Sequence, residues 1–163
     1  MGDFDIITTN QYLAFTLGEE KYAIEVSRVK EVLEFRTITR IPGTPTVMRG
    51  VMNVRGEIIP VLDLRERFGL KITENTVDTC ILLIEVMSDN QIVTIGIIAN
   101  SVEEVLEILP ERIDPPPKFN NNMDIDFISG IGKLDERFLV ILNSEKLIPT
   151  EDVNMVTESV VEV

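Results

Sequence analysis

The residues that usually do chemistry are scarce in this 163-residue sequence, and their spacing is more informative than their number. Histidine is absent, which removes the usual general base near neutral pH and the commonest metal ligand. The only cysteine, Cys80, opens an apolar run and reads as a buried small hydrophobe that can form no internal disulfide. Glu31 and Glu34, or Glu103, Glu104 and Glu107, have no His or Lys at useful spacing to make them paired acids, so they read as solvated faces. Asp124-Ile125-Asp126 lacks the glycine turn and terminal glutamate of a calcium loop. Gly130-Ile131-Gly132 is too short to cradle a phosphate. Asp63 and Arg65 read as an ion pair at a strand end, worth at most about 1 kcal/mol if exposed. Arg49 and Arg55 both stand beside glycines, with Met48 and Met52 near them. Arginine and methionine are favoured at protein interfaces, but packing under a loop is an equally good reading of these two residues. No catalytic, cofactor or metal site is expected.

Composition narrows the class. With 44% hydrophobic and 26% charged residues the chain is globular. No apolar run approaches the ~20 residues needed to span a bilayer. The start, MGDFDIITTNQ, has neither basic residues nor an apolar core, so no secretory signal is expected there, and the lone cysteine points to the cytoplasm. Residues 1–73 carry ten basic and ten acidic side chains, and the remainder carries the whole net charge of −13. Such a chain repels phosphate backbones, which argues against nucleic-acid binding.

The elements that would hold these residues are mostly strands. Residues 12–17 and 22–26 flank Gly18-Glu19-Glu20-Lys21 as a hairpin. Val26, Val29, Val32 and Leu33 fit a helical period, yet their β-branching favours a strand, leaving that piece open. Residues 41–45 form a rigid Pro/Gly loop, and residues 46–49 fit one helical turn. The stretch RGVMNVRGEIIPVLDLRERFGL, residues 49–70, reads as a strand, a reversal at Asn53-Val54-Arg55-Gly56, a strand covered on both faces and a short helix ending at Gly69. Asn53 and Gly56 are the expected positive-φ positions. Pro60 requires an edge or a bulge. Residues 79–87 and 91–98 form a second hairpin around Ser88-Asp89-Asn90, and residues 128–133 and 138–142 a third strand pair. Asn120, Asn121 and Asn122 read as an exposed, mobile loop, and residues from Thr150 fit a frayed amphipathic helix.

An internal repeat organises these elements. Val29-Lys30-Glu31-Val32-Leu33-Glu34 matches Val102-Glu103-Glu104-Val105-Leu106-Glu107 at an offset of 73, and Gly50-Val51 matches Gly130-Ile131 at 80. Two copies of hairpin, turn, strand and strand pair imply two similar small barrels. Halves near 70 residues are marginal alone, so a shared core is expected. In the second copy the central turn becomes Lys133-Leu134-Asp135-Glu136, acidic and without the glycine. Arg55 therefore belongs to one half only, which favours interface over packing for it.

The segments YLAFTLGEEKYAIEV, VKEVLE, TRIPGTPTVMRGVMNVRGEIIPVLDLRERFGL, GIIANSVEEVLEI and ISGIGKLDERFLVILN run in an order that resembles the CheW family of bacterial chemotaxis coupling proteins. Val54 departs from the family's usual leucine and Ala99-Asn100 from its more frequent valine-aspartate, neither expected to touch the framework. The resemblance implies an all-β fold of two interlocked five-stranded barrels (SH3/OB-like) with strand exchange, short helices and a C-terminal helix or tail. The expected domain runs over residues 10–148, with halves 10–72 and 78–148 and flexible tails 1–9 and 149–163. It further implies a non-catalytic cytoplasmic adaptor without cofactor, linking methyl-accepting chemoreceptor tips to the regulatory domain of the CheA histidine kinase. Self-association in arrays is implied as well, without nucleic acid or membrane insertion. Carried over by position, Val29, Glu31, Arg55 and Val105 are receptor-binding candidates, Arg49 and Gly50 join them as neighbours in the turn segment, and no kinase-contact residue is assigned. A small-ligand sensor using the groove between the barrels is the runner-up.

Overall fold

Tight turns set the local architecture of the computed structural model, which describes residues 10–116 and 126–148. Strands β1 (Gln11–Leu17) and β2 (Glu20–Glu25) form the first hairpin. A short 3-10 turn, Val26–Arg28, then leads into β3 (Val29–Glu34), so the ambiguous valine-rich piece is a strand. Strands β4 (Met48–Val54) and β5 (Glu57–Leu62) and the helix α1 (Leu64–Phe68) make up the central stretch. Next come β6 (Cys80–Ser88), β7 (Gln91–Ala99), β8 (Ser101–Glu107), the two-residue β9 (Ile113–Asp114), β10 (Ile128–Leu134) and β11 (Arg137–Leu142).

Two local expectations change. Residues 46–49 do not make a helical turn: a tight turn, with the Met48 N–H donating to the Pro45 carbonyl at 2.9 Å, delivers the chain into β4, where ladder bonds replace helical ones. In the β4–β5 reversal the left-handed residues are Arg55 (φ 51°) and Gly56 (φ 89°), not Asn53. Asn53 instead accepts the Gly56 N–H on its side-chain oxygen at 3.0 Å. Consecutive positive φ values belong to the hairpin turn whose twist matches that of the flanking strands. Asp89 and Asn90 turn β6 into β7 in the same way. Pro60 is accommodated as expected: β5 pairs with β7 only from Val61 onward, and β4 shifts register between Met48 and Gly50.

The strands assemble into two sheets, ordered β8-β1-β2-β11-β10-β9 and β3-β6-β7-β5-β4. Each early hairpin sits in the other half's sheet. The hairpin β1–β2 lies between β8 and β11, and β6–β7 lies between β3 and β5. The chain beyond β3 returns to pair Thr39 with Val51 of β4, and beyond β8 it returns as β9 to pair with β10, so each sheet curls back on itself as a barrel. At both returns a glycine permits the backbones to meet. A Cβ on Gly50 would lie 2.3 Å from the Thr39 carbonyl oxygen, and one on Gly130 2.9 Å from that of Asp114.

Alternation divides the apolar side chains among three cores. Ile81, Leu83 and Ile98 join Leu33, Met52, Val54, Ile59 and Val61 inside the five-stranded barrel. Ala23, Ile108, Leu139 and Ile141 fill the six-stranded one. The opposite faces, including Leu13, Phe15, Leu17, Ile24, Leu82, Ile84, Ile95, Ile97 and Leu142, meet in the largest cluster, between the barrels. Strands such as β6 are thus buried on both faces and carry continuous apolar runs. The fold is all-β, two interlocked barrels with strand exchange. The C-terminal helix expected from Thr150 and the loop at residues 120–122 lie outside the described residues.

Candidate partner-binding site

Arg55 occupies the tip of the β4–β5 turn, where its left-handed backbone projects the side chain toward β3. Its guanidinium grips Glu31 with two bonds, Nη2 to Oε1 at 2.6 Å and Nη1 to Oε2 at 3.3 Å. The Arg55 hydrogen bonds hold the Glu31 carboxyl below its ordinary range against an opposing desolvation, with added help from the Arg55 charge. Two of the candidates are therefore one unit, bidentate and open to solvent.

Cross-strand register places the valines. Directly paired residues share a sheet face. Val29 pairs with Ile84 and Val32 with Leu82, so both stand on the sheet face that carries the core between the barrels; Val29 packs against that core, while Val32 stays exposed. Leu33, paired with Ile81, faces the barrel interior, and Glu31, paired with Leu83, stands on the same sheet face but open to solvent. In β8, Val102 and Val105, opposite Phe15 and Leu13, share the corresponding face, Val102 against the core and Val105 exposed. Both strands bulge at the same place in the repeat, leaving out Lys30 in one and Glu103 in the other. Val32 and Val105 occupy corresponding positions on the two sheets, at 45% and 53% exposure, while Val29 is half-buried against the shared core. Val32 was missed in the sequence reading, although its alignment with Val105 in the repeat marked it.

Arg49 and Gly50 are held in the framework. Arg49 Nη2 contacts Asp63 Oδ2 at 2.5 Å. Asp63 also binds Arg65 in a fork, Oδ1 to Nε at 2.9 Å and Oδ2 to Nη2 at 2.9 Å, and caps α1 through the Arg65 N–H. Both Asp63 and Arg65 are fully buried, so the bound for an exposed pair does not apply. Burial works against the Asp63 charge, but the Arg65 hydrogen bonds, then the Arg65 and Arg49 charges, overcome it and lower the pKa. Gly50 is buried beneath Thr39.

The departures at 54, 99 and 100 do touch the framework, contrary to expectation. Val54 and Ala99 are buried. Asn100 joins both halves: its side-chain oxygen accepts from the Gly18 N–H at 2.6 Å and lies 3.4 Å from Arg65 Nη1, while its nitrogen donates to Thr73 Oγ1 at 2.8 Å. Of the carboxylates considered for a cation, Asp124 lies outside the described residues, and Asp126 pairs with Arg67 at 3.6 Å. Among the described residues no group of three His, Cys, Asp or Glu could hold a metal ion. Burial, then Asp78, pushes the Cys80 thiol up, away from nucleophilic thiolate. No helix among them is long and apolar enough to cross a membrane.

Two exchanged barrels presenting valine rims and an exposed arginine–glutamate fork define a binding module that works through its surfaces. Comparisons with known proteins agree. A family model described as the CheW-like domain matches residues 11–152. The chain is 37% identical over 149 residues to the chemotaxis protein CheW of Klebsiella aerogenes, covering 90% of this chain and 86% of that one. It is 34% identical over 141 residues to CheW of Helicobacter pylori, covering 85% and 81%. The crystal structure of the scaffolding protein TtCheW from Thermoanaerobacter tengcongensis superposes with a TM-score of 0.77 at 35% identity, covering 86% of this chain and 93% of that one. The chain belongs to the CheW family, and is a non-catalytic chemotaxis adaptor.

Proposed function

We propose that this adaptor couples the cytoplasmic tips of chemoreceptors to the regulatory domain of a CheA histidine kinase, in the cytoplasm beneath or beside receptor arrays. A single domain over residues 10–148 carries both contacts. Val29, Val32 and Val105 form the apolar rim that accepts a receptor helical hairpin, whose apolar stripe suits such a groove. The observation that carries this reading is the Glu31–Arg55 fork, a solvent-exposed pair joining the β4–β5 turn to β3, with Glu31 next to Val32. Arg55 retains donors for an acidic or carbonyl group at the receptor surface, and Glu31 orients it. Arg49 and Gly50 support the site from beneath by fixing β4 against Asp63 and Thr39.

The test is Arg55→Glu. It is expected to weaken binding to a receptor tip fragment by at least about tenfold in calorimetric titration, with unfolding unchanged because Arg55 is exposed. Undiminished affinity would remove Arg55 from the receptor contact.

A further inference from the structure

The two barrels repeat one site down to single hydrogen bonds. In β3, Val29, Glu31 and Val32 stand opposite Ile84, Leu83 and Leu82. In β8, Val102, Glu104 and Val105 stand opposite Phe15, Ala14 and Leu13, and each strand bulges after its first valine. The later hairpins match as well. Val54 and Glu57 flank the β4–β5 turn, Leu134 and Arg137 the β10–β11 turn, and the first turn residue is left-handed in both, Arg55 at φ 51° and Asp135 at φ 40°. An arginine clamps the carbonyl shortly before each turn: Arg36 Nη1 donates to Asn53 O at 3.2 Å, and Arg112 Nη2 to Lys133 O at 3.2 Å.

Only the charges break the repeat. In the first barrel Glu31 and Arg55 form the fork, with Glu57 beside Arg55. Their counterparts are Glu104, Asp135 and Arg137, so the second turn carries its acid and its base in exchanged positions and the strand carboxylate loses its partner. Among the described residues no ion pair engages Glu104, Asp135 or Arg137; Lys21 goes to Glu103 at 3.5 Å and Lys133 to Asp114 at 3.4 Å. Glu104 and Asp135 are exposed, and so are the apolar Val105 and Leu109. A groove of about 280 Å³ has Leu109, Asp135 and Glu107 in its lining. Two equal sites would let a helical hairpin dock either way round, since half a turn exchanges its two helices. Unequal charges remove that freedom, because a repulsive contact in the wrong arrangement adds to the attractive one in the right arrangement.

We propose that this exchange of charges fixes which way round the receptor hairpin lies, with Glu104 and Asp135 as the specificity determinants. The helix that offers an acidic or carbonyl group meets Arg55. The helix that presents a basic side chain meets Glu104 and Asp135, next to Val105. In the reversed arrangement acid faces acid at Glu104 and base faces the guanidinium of Arg55, and like charges brought together across an interface are costly. The proposal rests on the receptor reading above and adds an orientation to it.

Disulfide crosslinking of the full chain to a receptor tip fragment tests this. Val32→Cys and Val105→Cys place thiols at matching points of the two halves, and Cys80, being buried, stays silent. A fragment with one cysteine beside its apolar stripe should crosslink to one of the two positions at least about tenfold more than to the other. Asp135→Arg gives Glu104 a fork partner, and in that background the same cysteine should crosslink to both positions within about threefold. Arg55 shows that such a turn accepts arginine at this backbone angle, and circular dichroism checks the fold. Equal crosslinking to both positions without Asp135→Arg overturns the proposal. So does a preference that Asp135→Arg leaves unchanged, or the absence of crosslinks from every position along the stripe. The Arg55→Glu titration separates the two readings. If Arg55→Glu weakens binding, these results count against the orientation alone; if affinity is undiminished, the receptor reading falls with it.

Discussion

Asp63 shows how one side chain can hold a region. It caps α1, forks with Arg65 and anchors Arg49, all on a buried carboxylate. Removing one partner of a buried pair costs about 3–5 kcal/mol, because the other is left charged and uncompensated. Asp63→Asn should lower unfolding free energy by that amount in urea titration at neutral pH, and an unchanged midpoint would contradict the arrangement. The pH dependence has a definite sign. The folded-state pKa lies below the ordinary carboxylate value, so the contribution is fully present above the unfolded pKa and is lost as pH falls through the lower folded one. Wild-type stability should fall on acidification below about pH 4, and Asp63→Asn should flatten that fall. The sequence showed the Asp63–Arg65 pairing from spacing, but the burial of both side chains appears only in the folded chain.

At the scale of elements, two glycines one strand apart do different work. Gly50 sits at φ 155° with the Thr39 backbone against it, whereas Gly56 turns at φ 89° with open space around it. Gly50→Ala adds backbone strain to a backbone clash, each worth about 1–3 kcal/mol, and should destabilise by about 2–5 kcal/mol. Gly56→Ala meets no atom and should cost only the strain, about 1–2 kcal/mol. Equal thermal shifts for the two would refute the close approach at Thr39. The glycine of a turn is legible in sequence because turn chemistry is local. The glycine beneath a strand crossing is not, because its neighbour lies eleven residues back along the chain at Thr39. The same distinction explains Arg55: the turn was readable, but the partner Glu31, 24 residues away, needed the β3 register.

For the whole molecule, exchange of hairpins makes the two halves mutually dependent. Separately expressed fragments 1–73 and 74–163 should each lack a cooperative unfolding transition, because β1–β2 and β6–β7 would lose the strands they pair with and the shared core would be exposed. Mixing them should recover native circular dichroism, and cooperative melting of either fragment alone would count against this interdependence. The amino-acid sequence by itself determined the strands, their turns, the repeat and the need for a core beyond either half. These follow from side-chain periodicity and turn preferences, which act over a few residues. Only the tertiary structure decided which sheet each hairpin joins, that Asp63 and Arg65 are buried, that Asn100 links the halves and that Arg55 is latched to Glu31. Those outcomes depend on which distant faces bury each other, and alternating apolar residues fit either partner until the three cores are packed together.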